Sequence, residues 1–356
     1  MSETFFVTGA TGFIGARLVA RLAESGKRVK CLTRSRLRRK SISKYDVDFV
    51  EGDLNDVEAL RRGVSESTCV FHLAGLTRES RRGEFDAVNR VGLLNVVRVC
   101  AEVSPKPVLI SVSSLSGAGV APKSADSSTY APYRLKRETD FPKPVSPYGR
   151  SKFAGELELT KFADAVPISV VRPPYVFGEG DLHSAPLYRM AKEKGVFVIP
   201  GWVDRFYSFV YVEDLVEVLI KAFERGERLT STSLTPFDAT PSECSGCGIY
   251  YATSHDPVRF SDFGAMIGRA YGRNRLTTFR VPPVGVLGAG IYGECYRMAT
   301  HKLASLDWNK SIEALRGPWI CSGEKSASQL GVTVGSSLEE KIKRAADWYY
   351  RENIDV

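Results

Sequence analysis

The sequence predicts an α/β protein: a doubly wound parallel sheet with helices on both faces, followed by a smaller mixed α/β lobe. Three observations predict it. Short apolar runs alternate with helix-period segments through the first half of the chain. A glycine-rich turn joins the first apolar run to the first helix pattern. After residue 174 the alternation breaks down and the loops lengthen.

The elements follow in order. Thr4–Thr8 reads as a strand, and Phe13–Glu24 as a helix with Ile14, Leu18 and Leu22 on one face, ended by Gly26. Arg28–Thr33 and Val47–Glu51 read as the second and third strands. Val57–Gly63 reads as a short helix that Asn55 or Asp56 caps. Thr68–Leu73 and Pro107–Val112 are the fourth and fifth strands, separated by a long helix over Phe85–Val103. A polar, proline-rich loop spans Ala121–Val145. Ser146-Pro147 then gives an N-cap followed by proline at the first helical position of a helix reaching about Ala163. Ile168–Val171 is the sixth strand. Residues 1–174 therefore form a dinucleotide-type domain, to which a strand and helix at 209–225 return. Residues 175–356 supply mainly the substrate-binding lobe, with amphipathic helices at Phe260–Tyr271 and Leu338–Arg351.

Composition narrows the class. The 356 residues are 43% hydrophobic and 25% charged, ordinary for a globular enzyme. No apolar run reaches the roughly 18 residues that span a bilayer; the longest candidate, Val284–Ile291, is short and glycine-rich. Met1-Ser2-Glu3-Thr4 carries no basic signal region, so the expectation is a cytoplasmic protein. The seven cysteines are scattered and read as free thiols. Cys244-Ser-Gly-Cys247 lacks a second ligand pair and reads as a loop rather than a metal site. The net charge is +8, partly concentrated in Arg34-Ser-Arg36-Leu-Arg38-Arg39-Lys40. An anionic cofactor accounts for that run better than nucleic acid does.

The first strand leads into Gly9-Ala10-Thr11-Gly12-Phe13-Ile14-Gly15. Glycine permits a tight turn and close backbone approach, and the helix opening inside the motif offers N–H groups to a pyrophosphate. This is the phosphate turn of a Rossmann sheet, and it assigns Gly9, Thr11, Gly12, Phe13, Ile14 and Gly15 to the cofactor. NAD enzymes of this type place an acid at the end of the second strand, roughly 20 residues further on. Here Thr33-Arg34-Ser35 stands there, and no acid appears before Asp46. A guanidinium suits a 2′-phosphate. The expectation is therefore NADP rather than NAD, held by Arg34 and Ser35 with help from Arg38 or Arg39. Asp53 in Gly52-Asp53-Leu54 either accepts from the adenine amino group or caps its turn. His72-Leu73-Ala74-Gly75 ends the fourth strand with small residues that let the cofactor pass, His72 itself being read as structural.

Tyr148-x-x-x-Lys152 places a phenol and an ammonium on one helix face. A neighbouring ammonium and the cofactor's positive charge favour the phenolate and should lower the phenol's pKa, the helix dipole adding to the shift, making Tyr148 an acid/base near neutral pH. Lys152 can also bind the nicotinamide ribose. Ser114, just past the fifth strand, is the candidate partner for the substrate oxygen; Ser113 is the adjacent alternative.

These motifs, with Asn89, Arg172-Pro173 and Val210-Tyr211-Val212-Glu213-Asp214, stand in the order of the extended short-chain dehydrogenase/reductase family. The chain resembles that family, which includes NAD-dependent sugar epimerases/dehydratases and 3β-hydroxysteroid dehydrogenase-like reductases, over nearly its whole length. The resemblance implies that Ser114, Tyr148 and Lys152 act together. It implies that the cofactor also touches Leu54, Leu73, Ala74, Gly75, Pro173 and Val176, and that Asn89 holds the active-site helix. Leu115-Ser116 stands where the dehydratases carry an acidic pair, which rejects dehydration. Tyr207-Ser208 stands where many nucleotide-sugar epimerases carry Arg-Asp, although Arg205 is close by. The expected function is hydride transfer between NADP(H) and a small hydroxyl or carbonyl substrate. An epimerase and a non-catalytic dinucleotide-sensing subunit are the alternatives, and a homodimer is compatible with the sequence.

Overall fold

The computed structural model describes residues 3–124, 129–234, 244–253, 255–300, 306–332 and 335–352. In chain order the Rossmann part contains β1 (Thr4–Thr8), α1 (Phe13–Glu24), β2 (Arg28–Thr33), β3 (Asp48–Glu51), α2 (Val57–Val64) and β4 (Cys69–His72). A continuous helical stretch follows, made of α3 (Glu84–Asp86), a π-helical turn (Ala87–Gly92) and α4 (Leu93–Glu102). Then come β5 (Val108–Val112), α5 (Leu115–Ala118), α6 (Pro147–Thr160) and β6 (Ile168–Arg172). The remainder holds β7 (Tyr175–Phe177), α7 (Ala185–Arg189), β8 (Val196–Pro200), β9 (Phe206–Tyr207), β10 (Phe209–Tyr211) and α8 (Val212–Arg225). It ends with β11 (Ile249–Tyr251), β12 (Val258–Arg259), α9 (Phe260–Ala270), β13 (Thr277–Val281), α10 (Pro283–Thr300), α11 (Trp308–Leu315), α12 (Glu324–Leu330) and α13 (Leu338–Arg351).

The main sheet has seven parallel strands in the order β11-β6-β5-β4-β1-β2-β3. The order reverses between β1 and β4, so their carboxyl ends open the crevice where ligands bind in such sheets. Alternation along β1 shows how both faces are filled. Phe5 and Val7 pack with Leu18 and Leu22 of α1 and Leu215 and Leu219 of α8. Phe6 packs on the other face with Leu60 of α2, Val96 of α4 and Phe153 of α6.

The strand at 209–211 does not enter this sheet. It pairs with β7, while α8 behind it packs on the sheet. The seventh strand comes instead from β11, within the Ser-, Thr- and Cys-rich stretch 230–256 that reads as weakly patterned; residues 235–243 and 254 of that stretch lie outside the described residues. The run Ile-Tyr-Tyr is too short to show a period, and it is held by pairing with β6. The lobe has its own core, in which Phe209 stacks on Phe263 at 4.1 Å between ring centres, with Phe177, Phe197 and Ile342 around them.

Candidate active site

Backbone closeness explains the glycines. Gly9 has φ of +73°, and a Cβ there would lie 2.6 Å from the Ala74 nitrogen and 2.7 Å from the Leu73 carbonyl carbon. A Cβ on Gly15 would lie 2.1 Å from the Gly9 oxygen. The turn, the start of α1 and the end of β4 thus touch through backbone alone. Gly12 caps α1 without a side chain, which leaves the first-turn amides of Phe13 and Ile14 clear for an anion at the sheet edge. Thr8 and His72 fix the two strands at this point, with Thr8 Oγ1 and His72 Nδ1 at 2.9 Å. His72 is buried and its pKa falls to about 3 through desolvation, with the Lys152 charge adding to the effect. It is a structural residue.

Past β2, Arg34 is exposed and Ser35 half-buried at the start of a 3-10 turn over Arg36–Ser41. That turn leans back on the glycine loop, where Ser41 Oγ donates to the Thr11 carbonyl at 3.5 Å. Sequence reasoning missed this contact, since a serine in a basic loop has no pattern. Arg39 points elsewhere than expected. It pairs with Glu51 at 3.1 Å, donates to Thr33 Oγ1 and lies over the Phe49 ring. The side chain of Arg38 lies outside the described residues. Asp53 caps its turn, its Oδ1 accepting from the Asn55 and Asp56 amides at 2.8 and 3.2 Å. Leu54 fills the space over Gly92.

The pair on α6 is set by the helix start. Ser146 Oγ accepts from the Gly149 amide at 2.9 Å, and Pro147 occupies the first turn. Tyr148 and Lys152 then face the carboxyl edge of β5. The Ser114 side chain lies on the side of the Tyr148 hydroxyl and favours its ionised form. Ser114 also caps α5, accepting from the Ser116 amide at 3.1 Å. The neighbouring Ser113 hydroxyl is buried and has no hydrogen-bond partner. Between the two serines, Ser114 is the one brought to the phenol. Lys152 Nζ donates to the Val112 carbonyl at 2.8 Å, and a Cβ on Gly75 would come within 3.4 Å of it. Asn89, in the π-helical turn, donates to Ser151 Oγ at 2.9 Å and to the Leu76 carbonyl, and accepts from the Leu76 amide. It therefore ties α6 to the chain leaving β4. The Pro173 carbonyl accepts from the Leu115 amide at 2.9 Å, and Val176 pairs with Val210 in the β7–β10 ladder.

The Tyr148 phenol is not lowered in the protein itself: burial pushes it well above its ordinary value, the Ser114 hydroxyl opposing and the Glu313 charge adding to the rise. Burial likewise pushes Lys152 down to about 8, against the pull of Glu156. Sequence reasoning also missed what covers the pair. From α11, Glu313 accepts from Ser146 Oγ at 2.7 Å, and Lys310 Nζ lies 5.4 Å from the centre of the Tyr148 ring. Lys310 and Glu313 are 3.2 Å apart. Nothing in the spacing of these distant residues announces the contact.

A Gly-only crevice with open helix amides, ending at a buried phenol and amine, fits an extended dinucleotide. Residues 5–233 match the model of the NAD dependent epimerase/dehydratase family. The chain belongs to that family. Members of it are NAD-dependent enzymes of the extended short-chain dehydrogenase/reductase type, and so is this protein. Among family relatives it is 27% identical over 343 residues to the ceramide reductase of Caulobacter vibrioides, covering 96% of this chain and 93% of that one. It is 31% identical over 233 residues to the dTDP-4-dehydrorhamnose reductase of Mycolicibacterium smegmatis, covering 64% and 62%. In fold it is similar to MoeE5 in complex with UDP-glucose and NAD, with a TM-score of 0.72, 21% identity and coverage of 99% and 100%.

Proposed function

We propose that the protein is an NADP(H)-dependent reductase or dehydrogenase acting on a hydroxyl or carbonyl carbon, with Ser114, Tyr148 and Lys152 as its catalytic residues. The observation that carries this reading is the gathering of the Tyr148 phenol, the Ser114 side chain and the Lys152 amine at the carboxyl edge of β5. Ser114 and Tyr148 together hold the substrate oxygen. Tyr148 gives that oxygen a proton in reduction and takes it back in oxidation. Lys152 steadies the cofactor ribose and, when charged, the phenolate. The bound nicotinamide supplies or accepts the hydride; the protein orients and excludes water. Gly9, Thr11, Gly12, Phe13, Ile14 and Gly15 hold the pyrophosphate. Arg34 and Ser35 hold the 2′-phosphate of NADP, with no carboxylate at the end of β2 to repel it. Arg39 is committed to Glu51 and takes no part.

Exchange of cofactor on each turnover, rather than epimerisation, is supported by Arg205. Its guanidinium donates to the Pro200, Val203 and Leu315 carbonyls and so is not presented as a diphosphate clamp. The full-length likeness to a reductase points the same way.

The test is a thermal-shift titration joined to kinetics. NADP should raise the melting temperature more than NAD at equal concentration. Tyr148→Phe should keep that shift while losing about 10²–10⁴-fold in kcat. Turnover of carbonyl substrates in that variant at the parent rate would refute the assignment. Tightly retained cofactor with no net NADPH consumption would establish an epimerase instead.

A further inference from the structure

The outward face of α10 lacks the charges that an exposed helix ordinarily carries. Val284, Gly288, Ile291, Tyr292, Cys295, Met298 and Ala299 follow one another at helical spacing and are exposed, Val284 by 77%, Tyr292 by 71%, Met298 by 59% and Ile291 by 55%. The opposite face, Val286, Gly290, Gly293 and Arg297, is buried. The helix carries only two charges, Glu294 and Arg297, and they pair with each other on that inner side. Gly290 explains the tight seat: a Cβ there would fall 2.4 Å from Ser311 Oγ on α11, which donates to the Val286 carbonyl at 3.1 Å. So α10 lies on α11, and α11 lies over Tyr148.

Further exposed aromatic side chains stand just before the helix in β13 and just past β8. Phe279 on β13 is 60% exposed, and Trp202 beside it is 62% exposed, its carbonyl held by Arg280 at 2.5 Å. Tyr292 and Tyr296 stack on each other. Exposed Trp and Tyr beside aliphatic residues suit the boundary between lipid headgroups and acyl chains. Exposed cations lie beside these groups, Arg280 at Trp202 and Arg81 and Arg82 at Met298. The two arginines line a cleft of about 480 Å³ together with Glu79, Met298 and Trp308, and that cleft reaches Pro147 beside Tyr148.

We propose that this face, α10 with Trp202 and Phe279, docks the protein onto an anionic lipid bilayer, the aromatic and aliphatic side chains entering the interface while Arg81, Arg82 and Arg280 meet the headgroups. The chain's net charge of +8 complements such a surface. No described helix is long and apolar enough to cross a membrane, so α10 lies in the interface plane. A second copy of the chain fits less well. A twofold contact through this face would set arginines against arginines at its rim. Docked this way, the cleft opens beside the headgroups. This surface is distinct from the catalytic proposal, and neither stands on the other.

Cys295 gives a direct reading. It is exposed, whereas Cys31, Cys69, Cys100, Cys244 and Cys321 are buried and Cys247 is half-buried with its thiol donating to the Arg228 carbonyl. The full chain, labelled there with an environment-sensitive dye, is mixed with phosphatidylcholine vesicles with and without phosphatidylglycerol. The expected result is a blue shift and co-sedimentation with the anionic vesicles, weakened by salt. The variant I291E/Y292E should bind at least about tenfold more weakly while keeping the parent's melting temperature. No dye shift on anionic vesicles overturns the proposal, as does equal binding by parent and variant. So does a dimer in light scattering that the variant dissociates, since the face would then be covered by a second copy.

Discussion

At Tyr148 burial and charge act together: desolvation and the Glu313 carboxylate hold the phenol protonated well above its ordinary range, against the Ser114 hydroxyl. At His72 burial and charge also act together, with a consequence for stability. Its pKa is near 3 in the folded protein and near 6.5 in the unfolded chain. Below pH 6.5 the unfolded chain therefore binds a proton that the folded protein refuses. The stability from neutral His72 is complete above pH 6.5 and is lost as pH falls from there toward 3, by about 1.4 kcal/mol per pH unit. His183 and His255 are also lowered by burial and contribute in the same direction. Urea unfolding of parent and His72→Asn between pH 7 and 5 isolates the His72 share: the variant's stability should fall less steeply by about one proton's worth. Parallel curves would remove His72 from the account. The residue types at this site were legible because Tyr-x-x-x-Lys and the glycine spacing are local. The choice of Ser114 over Ser113 was not, because it depends on which hydroxyl the end of β5 turns toward α6.

At the scale of elements, α6 is positioned from both ends. Its N-cap serine serves two masters at once, the Gly149 amide and the Glu313 carboxylate on α11. Removing it with Ser146→Ala uncaps the helix and leaves Glu313 short of a donor in a buried place. A loss of about 1–3 kcal/mol in chemical denaturation is expected. Because Tyr148 lies in the first turn, kcat should fall more than KM rises. Unchanged stability would mean that α11 does not hold the helix. The cap and the proline made the start of α6 readable from sequence, and the apolar periodicity of Leu338–Arg351 did the same for α13. The strand β11 was not readable. Ile-Tyr-Tyr gains its identity only from pairing with Val170, Val171 and Arg172.

Across the whole molecule, one buried ion pair joins the layers. Arg172 at the end of β6 donates to both carboxylate oxygens of Glu156 on α6, and the two side chains are fully buried. Tyr251 of β11 adds its hydroxyl at 3.5 Å. Glu156→Leu would leave a buried guanidinium unpaired, and a loss of about 3–5 kcal/mol in unfolding free energy is expected. A loss below about 1 kcal/mol would show that water reaches the pair. By itself the sequence determined the winding of the sheet, the glycine crevice, the phenol–amine pair and the family, because these rest on periodicity, on turns only glycine can make, and on spacings within one helical turn. The tertiary structure alone decided that β11 completes the sheet, that Arg39 turns to Glu51, and that α11 covers Tyr148 while the apolar face of α10 is left outward. Those outcomes depend on contacts between residues far apart in the chain, where no local pattern records which surfaces will meet.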